Sequence, residues 1–232
     1  MLSKVNHWIE IAGTAVDVLL LARVMLLKLS KTYLFITLAC LLAVFFDGVS
    51  LWLGRDFARV FVYSRFLYAF VIPAAAYDVW EEMKGQIVHI RQMAIRRLVS
   101  SLILASVFGF VFVKLSLSDS DTDQTADLAV IVWAACITAS LAFLWSMGRW
   151  VRAKKIPTPN NTFVWLIFFQ FYLIAEVIAC IYIMASSLFP VGSADLLTFA
   201  LGVYEILLTV WCIWRLRPLS SSVPSTPAQA SL

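Results

Sequence analysis

The chain has 232 residues, of which 62% are hydrophobic and 14% charged, with a formal net charge of +4 and a mean hydropathy of +0.89. An average soluble domain is roughly 45–50% apolar and about 25% charged, so this composition excludes an ordinary soluble enzyme. No core in a chain of this length hides so many apolar side chains from water, and the fitting solvent is lipid.

Stretches of about 20 mainly apolar residues predict helices over 8–27, 33–53, 59–80, 98–117, 128–147, 162–184 and 196–214. The expected fold is all-α: a polytopic membrane protein, one seven-transmembrane-helix bundle over residues 1–217. A Ser- and Pro-rich disordered cytoplasmic tail follows over 218–232. Glu10, Asp17 and Arg23 interrupt the first stretch, so it is expected to be retained and not cleaved as a signal. The alternative there is six spans with an interfacial N-terminal segment. Cys40, Cys136, Cys180 and Cys212 all fall inside apolar runs and read as packing residues.

Cytoplasmic flanks collect Lys and Arg. Arg23, Lys28, Lys31, Lys84, Arg91, Arg96, Arg97, Arg149, Arg152, Lys154, Lys155, Arg215 and Arg217, 13 of 18 basic residues, fall on one predicted side. With seven helices this positive-inside pattern puts the N-terminus outside and the C-terminus inside. The stretch from Ser118 to Asp127 has no basic residue and suits an outer loop. Trp8 and Trp52 mark outer ends and Trp80, Trp145, Trp150, Trp165, Trp211 and Trp214 inner ends, with only Trp133 deeper. Between Lys84 and Arg97, Ile87, Ile90 and Met93 alternate with basic residues, as in an interfacial helix on anionic lipid or an extension of the fourth helix.

Several spans carry small and polar residues on one face: Thr37, Cys40, Ala43, Asp47, Ser50 and Gly54 in the second, Thr198, Gly202, Glu205, Thr209 and Cys212 in the last. Such faces must turn away from lipid. An ionised carboxylate at mid-membrane costs at least about 2.5–3.5 kcal/mol, so Asp17, Asp47, Glu176 and Glu205 each require a partner, a proton or water. Asp47 and Arg65 are equidistant from Asp56 and are expected to pair. Glu176 and Glu205 lie symmetrically about Pro190 and Val191, at similar depth. There one holds a proton, a cation sits between them, or Arg65 reaches down. Tyr172, one turn before Glu176, is placed to donate to it. Together Asp17, Asp47, Arg65, Tyr172, Glu176 and Glu205 form a candidate outward-opening polar pocket of negative charge, suited to a cationic ligand, a metal cation or a proton. The alternative is a set of separate buried hydrogen bonds. Asp78, Glu81 and Glu82 are expected to meet Arg149, Arg152 or the Arg91 to Arg97 cluster in a cytoplasmic ionic latch. Pro73 removes the hydrogen bond to the Ala69 carbonyl and should bend the third helix between pocket and latch.

No catalytic motif, cofactor site or dedicated metal site emerges. Lys154 and Lys155 are the last lysines, so the final helix offers no retinal Schiff base. His7 and His89 belong on opposite sides, which excludes bis-histidine haem ligation within one chain. HExxH, GxSxG, phosphate-loop and CxxC patterns are absent, and Asn160-Asn161-Thr162 reads as a chance sequon on the cytoplasmic side. The third helix ends Tyr77-Asp78-Val79-Trp80 without an acidic-Arg-aromatic triplet, unlike a eukaryotic G-protein-coupled receptor. The aromatic stretch from Asp56 to Met83, its central Pro73 and acidic exit, and the short loops resemble uncharacterised seven-helix integral membrane proteins of soil bacteria, some similar to sensor modules of histidine kinases. That resemblance implies a bacterial inner membrane and no known activity.

The leading expectation is therefore a small membrane sensor or accessory protein, not an enzyme, acting through a cytoplasmic or membrane protein partner, with anionic lipid at its inner face and no nucleic acid. The alternatives are a proton- or cation-coupled transporter or channel using Asp17, Glu176 and Glu205, and a structural subunit of a membrane complex.

Overall fold

The computed structural model describes residues 2–53, 57–84, 99, 103, 124–155, 158–184 and 193–219. Six helices are complete among the described residues: α1 (Leu2–Leu26), α2 (Leu34–Leu53), α3 (Phe57–Lys84), α4 (Gln124–Lys154), α5 (Asn160–Met184) and α6 (Ser193–Arg215), with one 3-10 turn over Leu29–Lys31. The expected fourth span apart from Val99 and Ile103, the stretch 85–98, most of the acidic loop and the tail from 220 lie outside the described residues.

The helices run further than the apolar windows. Hydropathy marks what lipid must cover, whereas a helix continues through polar residues until something breaks its hydrogen-bond ladder. Thus Gln124 to Asp127, read from sequence as loop, form the first turn of α4. The breakers are visible: Lys28 and Lys155 adopt left-handed φ of 56° and 50°, Pro157 and Pro159 separate α4 from α5, and Pro218 follows α6. Pro73 sits inside α3.

Among the described residues, four helices are long and apolar enough to cross a membrane, over Leu34–Leu53, Ile131–Ala153, Asn160–Tyr182 and Ala194–Arg215. The other two have the length, 25 residues in α1 and 28 in α3, but carry charges along it.

The helices pack as a closed ring. Each touches the next in chain order, α6 returns to α1, and α5 also meets α3 across the ring. Contacts set their directions. Asn6 of α1 donates to the Asp195 carbonyl at the start of α6, and Arg23 donates to Leu216 O at its end, so α1 and α6 run parallel. Tyr204 reaches Phe171 O and Asn160 reaches Arg215 O, so α5 and α6 are antiparallel. Gln170 donates to Leu144 O while Glu176, further along α5, sits beside Arg65, itself stacked on Trp133, so α4 too opposes α5. Asp78 grips the start of α2, where Tyr33 meets Thr162 of α5, so α3 opposes α5 as well. Consecutive described helices α3 and α4 are therefore parallel.

Burial is uneven along the bundle axis. Val24, Leu29, Tyr33, Ile36, Met83, Leu144, Trp165, Leu166 and Leu216, all fully buried, crowd the end that carries Arg23, Arg215 and Arg217. The helices approach closely there: a Cβ on Gly148 would stand 2.5 Å from Gln170 Nε2. The polar faces turn inward, with Thr37, Cys40, Thr209 and Cys212 buried.

Candidate functional site

Away from that tight end, ionisable side chains from five of the six described helices converge, and α4 adds the Trp133 ring. Glu176 of α5 is nearly buried and anchors the group. Its Oε2 lies 3.8 Å from Arg65 Nη1 of α3, and its Oε1 accepts a 2.7 Å hydrogen bond from Tyr172 OH. The i, i+4 spacing on α5 puts Tyr172 and Glu176 on one face, and Tyr172 is itself stacked on Phe168, with ring centroids 5.9 Å apart. Arg65 completes its surroundings on α4: its guanidinium carbon sits 4.1 Å over the Trp133 ring, a cation–π contact favoured where water is scarce.

Asp17 of α1 and Asp47 of α2 bring their carboxyl groups within hydrogen-bonding reach of each other. Two carboxylates have no proton to share, so such a contact holds one proton between them or recruits a cation. Glu205 of α6 lies within electrostatic range of Asp17, Asp47, Arg65 and Glu176. Tyr68, one turn after Arg65, faces the same set. Among the described residues the cluster thus sets four carboxyl groups against one guanidinium in a low-dielectric setting, where uncompensated charge is expensive.

All six residues of the expected polar pocket, Asp17, Asp47, Arg65, Tyr172, Glu176 and Glu205, fall in this region. Their pairing departs from the expectation. Arg65 makes its ion pair with Glu176, and Asp47, the partner expected from hairpin depth, is within range of Arg65 but has Asp17 as its hydrogen-bonding neighbour. Depth along the two helices allowed Asp47 and Arg65 to meet; the rotation of α3 about its axis turned Arg65 towards α5 instead.

The latch residues are placed differently from one another. Asp78 is 7% exposed, and its Oδ2 accepts from the backbone N–H groups of Phe35 at 2.6 Å and Ile36 at 3.0 Å. It acts as an N-cap for α2 supplied by another helix, satisfying donors that every helix start leaves open. Arg149 and Arg152 are exposed on α4, whereas Glu81 and Glu82 are half-buried on α3. The sequon residues also have structural tasks. Asn160 donates to Arg215 O at 3.1 Å, Asn161 donates to Arg217 O at 2.7 Å and accepts from Arg217 N at 2.9 Å, and Thr162 bonds Tyr33. The two asparagines close the carbonyl end of α6.

Sequence reasoning missed Trp133 and Tyr68 as members of the cluster. The depth of Trp133, away from the interfacial level of the other tryptophans, was the available signal. The cap by Asp78 had one too, since the position just before Leu34 is Tyr33, which has no short acceptor side chain to cap α2. Among the described residues, no three of His, Cys, Asp and Glu come together as metal ligands.

The molecule so defined is, over its described residues, an all-helical protein with four helices fit to cross a membrane. No protein family, curated protein or solved structure matches the chain.

Proposed function

We propose that the chain is an integral membrane protein whose helical ring encloses a proton- or cation-responsive centre, and that it works as a sensor or accessory subunit reporting the state of that centre to a partner. The observation that carries this reading is the excess of carboxyl groups among the described residues: Asp17, Asp47, Glu176 and Glu205 gathered around the guanidinium of Arg65. Intramembrane ionisable groups are costly and mark ion or proton sites. The net negative charge of the group suits a proton, a cationic ligand or a metal cation as its occupant. The packing supports access from the end opposite the basic one, because the large buried side chains seal the basic end.

The proposed topology has seven spans in a bacterial inner membrane, with the N-terminus outside and the C-terminus inside. Its support is the parallel course of α3 and α4: the chain leaves α3 at the basic end and enters α4 at the other, so residues 85–123 connect opposite ends of the bundle. A membrane-impermeant maleimide on sealed cells tests it. Val5→Cys should label directly and Leu219→Cys only after permeabilisation; labelling of both from one side would overturn an odd number of crossings.

For the centre, infrared difference spectra of the chain in proteoliposomes across pH, with Glu176→Gln and Glu205→Gln to assign bands, should show a carboxyl group that titrates and responds to a cation gradient. Silent carboxyl bands would remove the functional reading. The electrostatic linkage of acids from α1 to α6 also favours a second reading, proton- or cation-coupled transport, in which either Gln variant abolishes uptake into vesicles.

A further inference from the structure

Outside the ring, α4 and α5 border an open groove of about 730 Å³ lined from Thr138 to Ala153 of α4 and by Ile174 of α5. Its floor is apolar although it contains hydroxyl groups, because these are turned to their own helix. Thr138 Oγ1 donates to Ala134 O and Ser146 Oγ to Phe143 O, each at 2.8 Å. Leu141 and Trp145 flank one edge and Trp150 the other, as the 100° step of the helix dictates. One charged side chain joins this lining, Arg149. It is exposed, and among the described residues it has no ion-pair partner.

The spacing matches one lipid. From Arg149 to Thr138 the helix rises about 16 Å, half the roughly 30 Å hydrocarbon core and so the reach of one acyl chain. The cation stands at the end of the bundle that carries Arg215 and Arg217, with amphipathic indoles beside it at the level of a headgroup. A hydrocarbon chain fits the hydroxyl-quenched floor, and a guanidinium matches a phosphate better than any neutral group. We propose that this groove holds one anionic phospholipid, its phosphate against Arg149 and an acyl chain along α4.

The proposal rests on the membrane reading above and is tested apart from it. The purified full chain is titrated with phosphatidylglycerol and phosphatidylcholine and read by native mass spectrometry. Phosphatidylglycerol should be retained preferentially, and Arg149→Gln should cut its affinity roughly five- to tenfold, to the level of phosphatidylcholine. Arg152→Gln, an equal charge change outside the groove, should leave the preference intact. Ala142→Trp, at an exposed position, should fill the groove and displace both lipids. A preference that survives Arg149→Gln, an equal loss with Arg152→Gln, or undiminished binding to Ala142→Trp would overturn the site. Release of the wild-type chain from vesicles by alkaline carbonate would overturn the membrane reading itself; a chain that stays embedded without any lipid preference overturns the groove alone.

Discussion

Asp78→Ala is the sharpest perturbation of the way α3 holds α2. The substitution removes one carboxylate oxygen that accepts two backbone N–H groups, at 2.6 and 3.0 Å, from a side chain only 7% exposed. Loss of an ordinary N-cap costs about 1 kcal/mol, and hydrogen bonds to charged groups contribute about 1.5–3 kcal/mol each when their loss strands a buried partner. Water can reach Phe35 N in part, so the sum is about 2–4 kcal/mol. Asp78→Asn keeps an acceptor oxygen in place and loses only the charge at the helix start, about 0.3–1 kcal/mol. Reversible unfolding in mixed micelles of increasing dodecyl sulfate content reads both. Glu82→Ala on the same helix is the control and should stay within about 0.5 kcal/mol of wild type. If Asp78→Ala also stays within that margin, the cap is not a source of stability. If Asn costs as much as Ala, charge and not the hydrogen-bond geometry holds the two helices.

Three further outcomes follow from the packing. Arg65→Met should strand Glu176 and destabilise the chain by about 3 kcal/mol, while Arg65→Met with Glu176→Gln should recover most of that loss in the same unfolding assay, because removing a buried pair whole is far cheaper than halving it. Gly148→Ala should cost about 1–3 kcal/mol, since the new Cβ would drive Gln170 Nε2 from its 2.8 Å bond to Leu144 O; Gly202→Ala meets the half-exposed Ile9, which can turn away, and should cost less, a ranking readable from thermal inactivation. Asn161→Ala removes both bonds to Arg217 and should raise tryptic cleavage of the adjacent Arg215–Leu216 bond several-fold without altering cleavage elsewhere, Pro218 protecting the bond after Arg217 itself; unchanged cleavage there would show that the α6 terminus is held by other contacts.

The helices themselves were legible in one dimension. A backbone in lipid must satisfy its own hydrogen bonds, so each long apolar run had to be helical, and Pro157, Pro159 and Pro218 show where runs stop. Depth was legible as well, because a helix converts residue number to height at about 1.5 Å per residue; that is why Tyr172, one turn from Glu176, could be assigned as its donor, and why Glu176 and Glu205 could be set at one level. Helix ends were less so, since α4 continues through polar residues at both of its termini that hydropathy assigns to loops.

Azimuth and neighbourhood were decided only in three dimensions. The spacing that let Asp47 meet Arg65 says nothing of how α3 is turned, and the closed ring turns Arg65 to Glu176 and Trp133 and leaves Asp47 beside Asp17. Asp78 serves α2, and Asn160 and Asn161 serve α6, because the ring brings helix termini distant in sequence to one end of the bundle. Amino-acid order sets which side chains lipid will not tolerate and how deep they lie; which of them meet is set by packing all six described helices at once, a condition that no single segment contains.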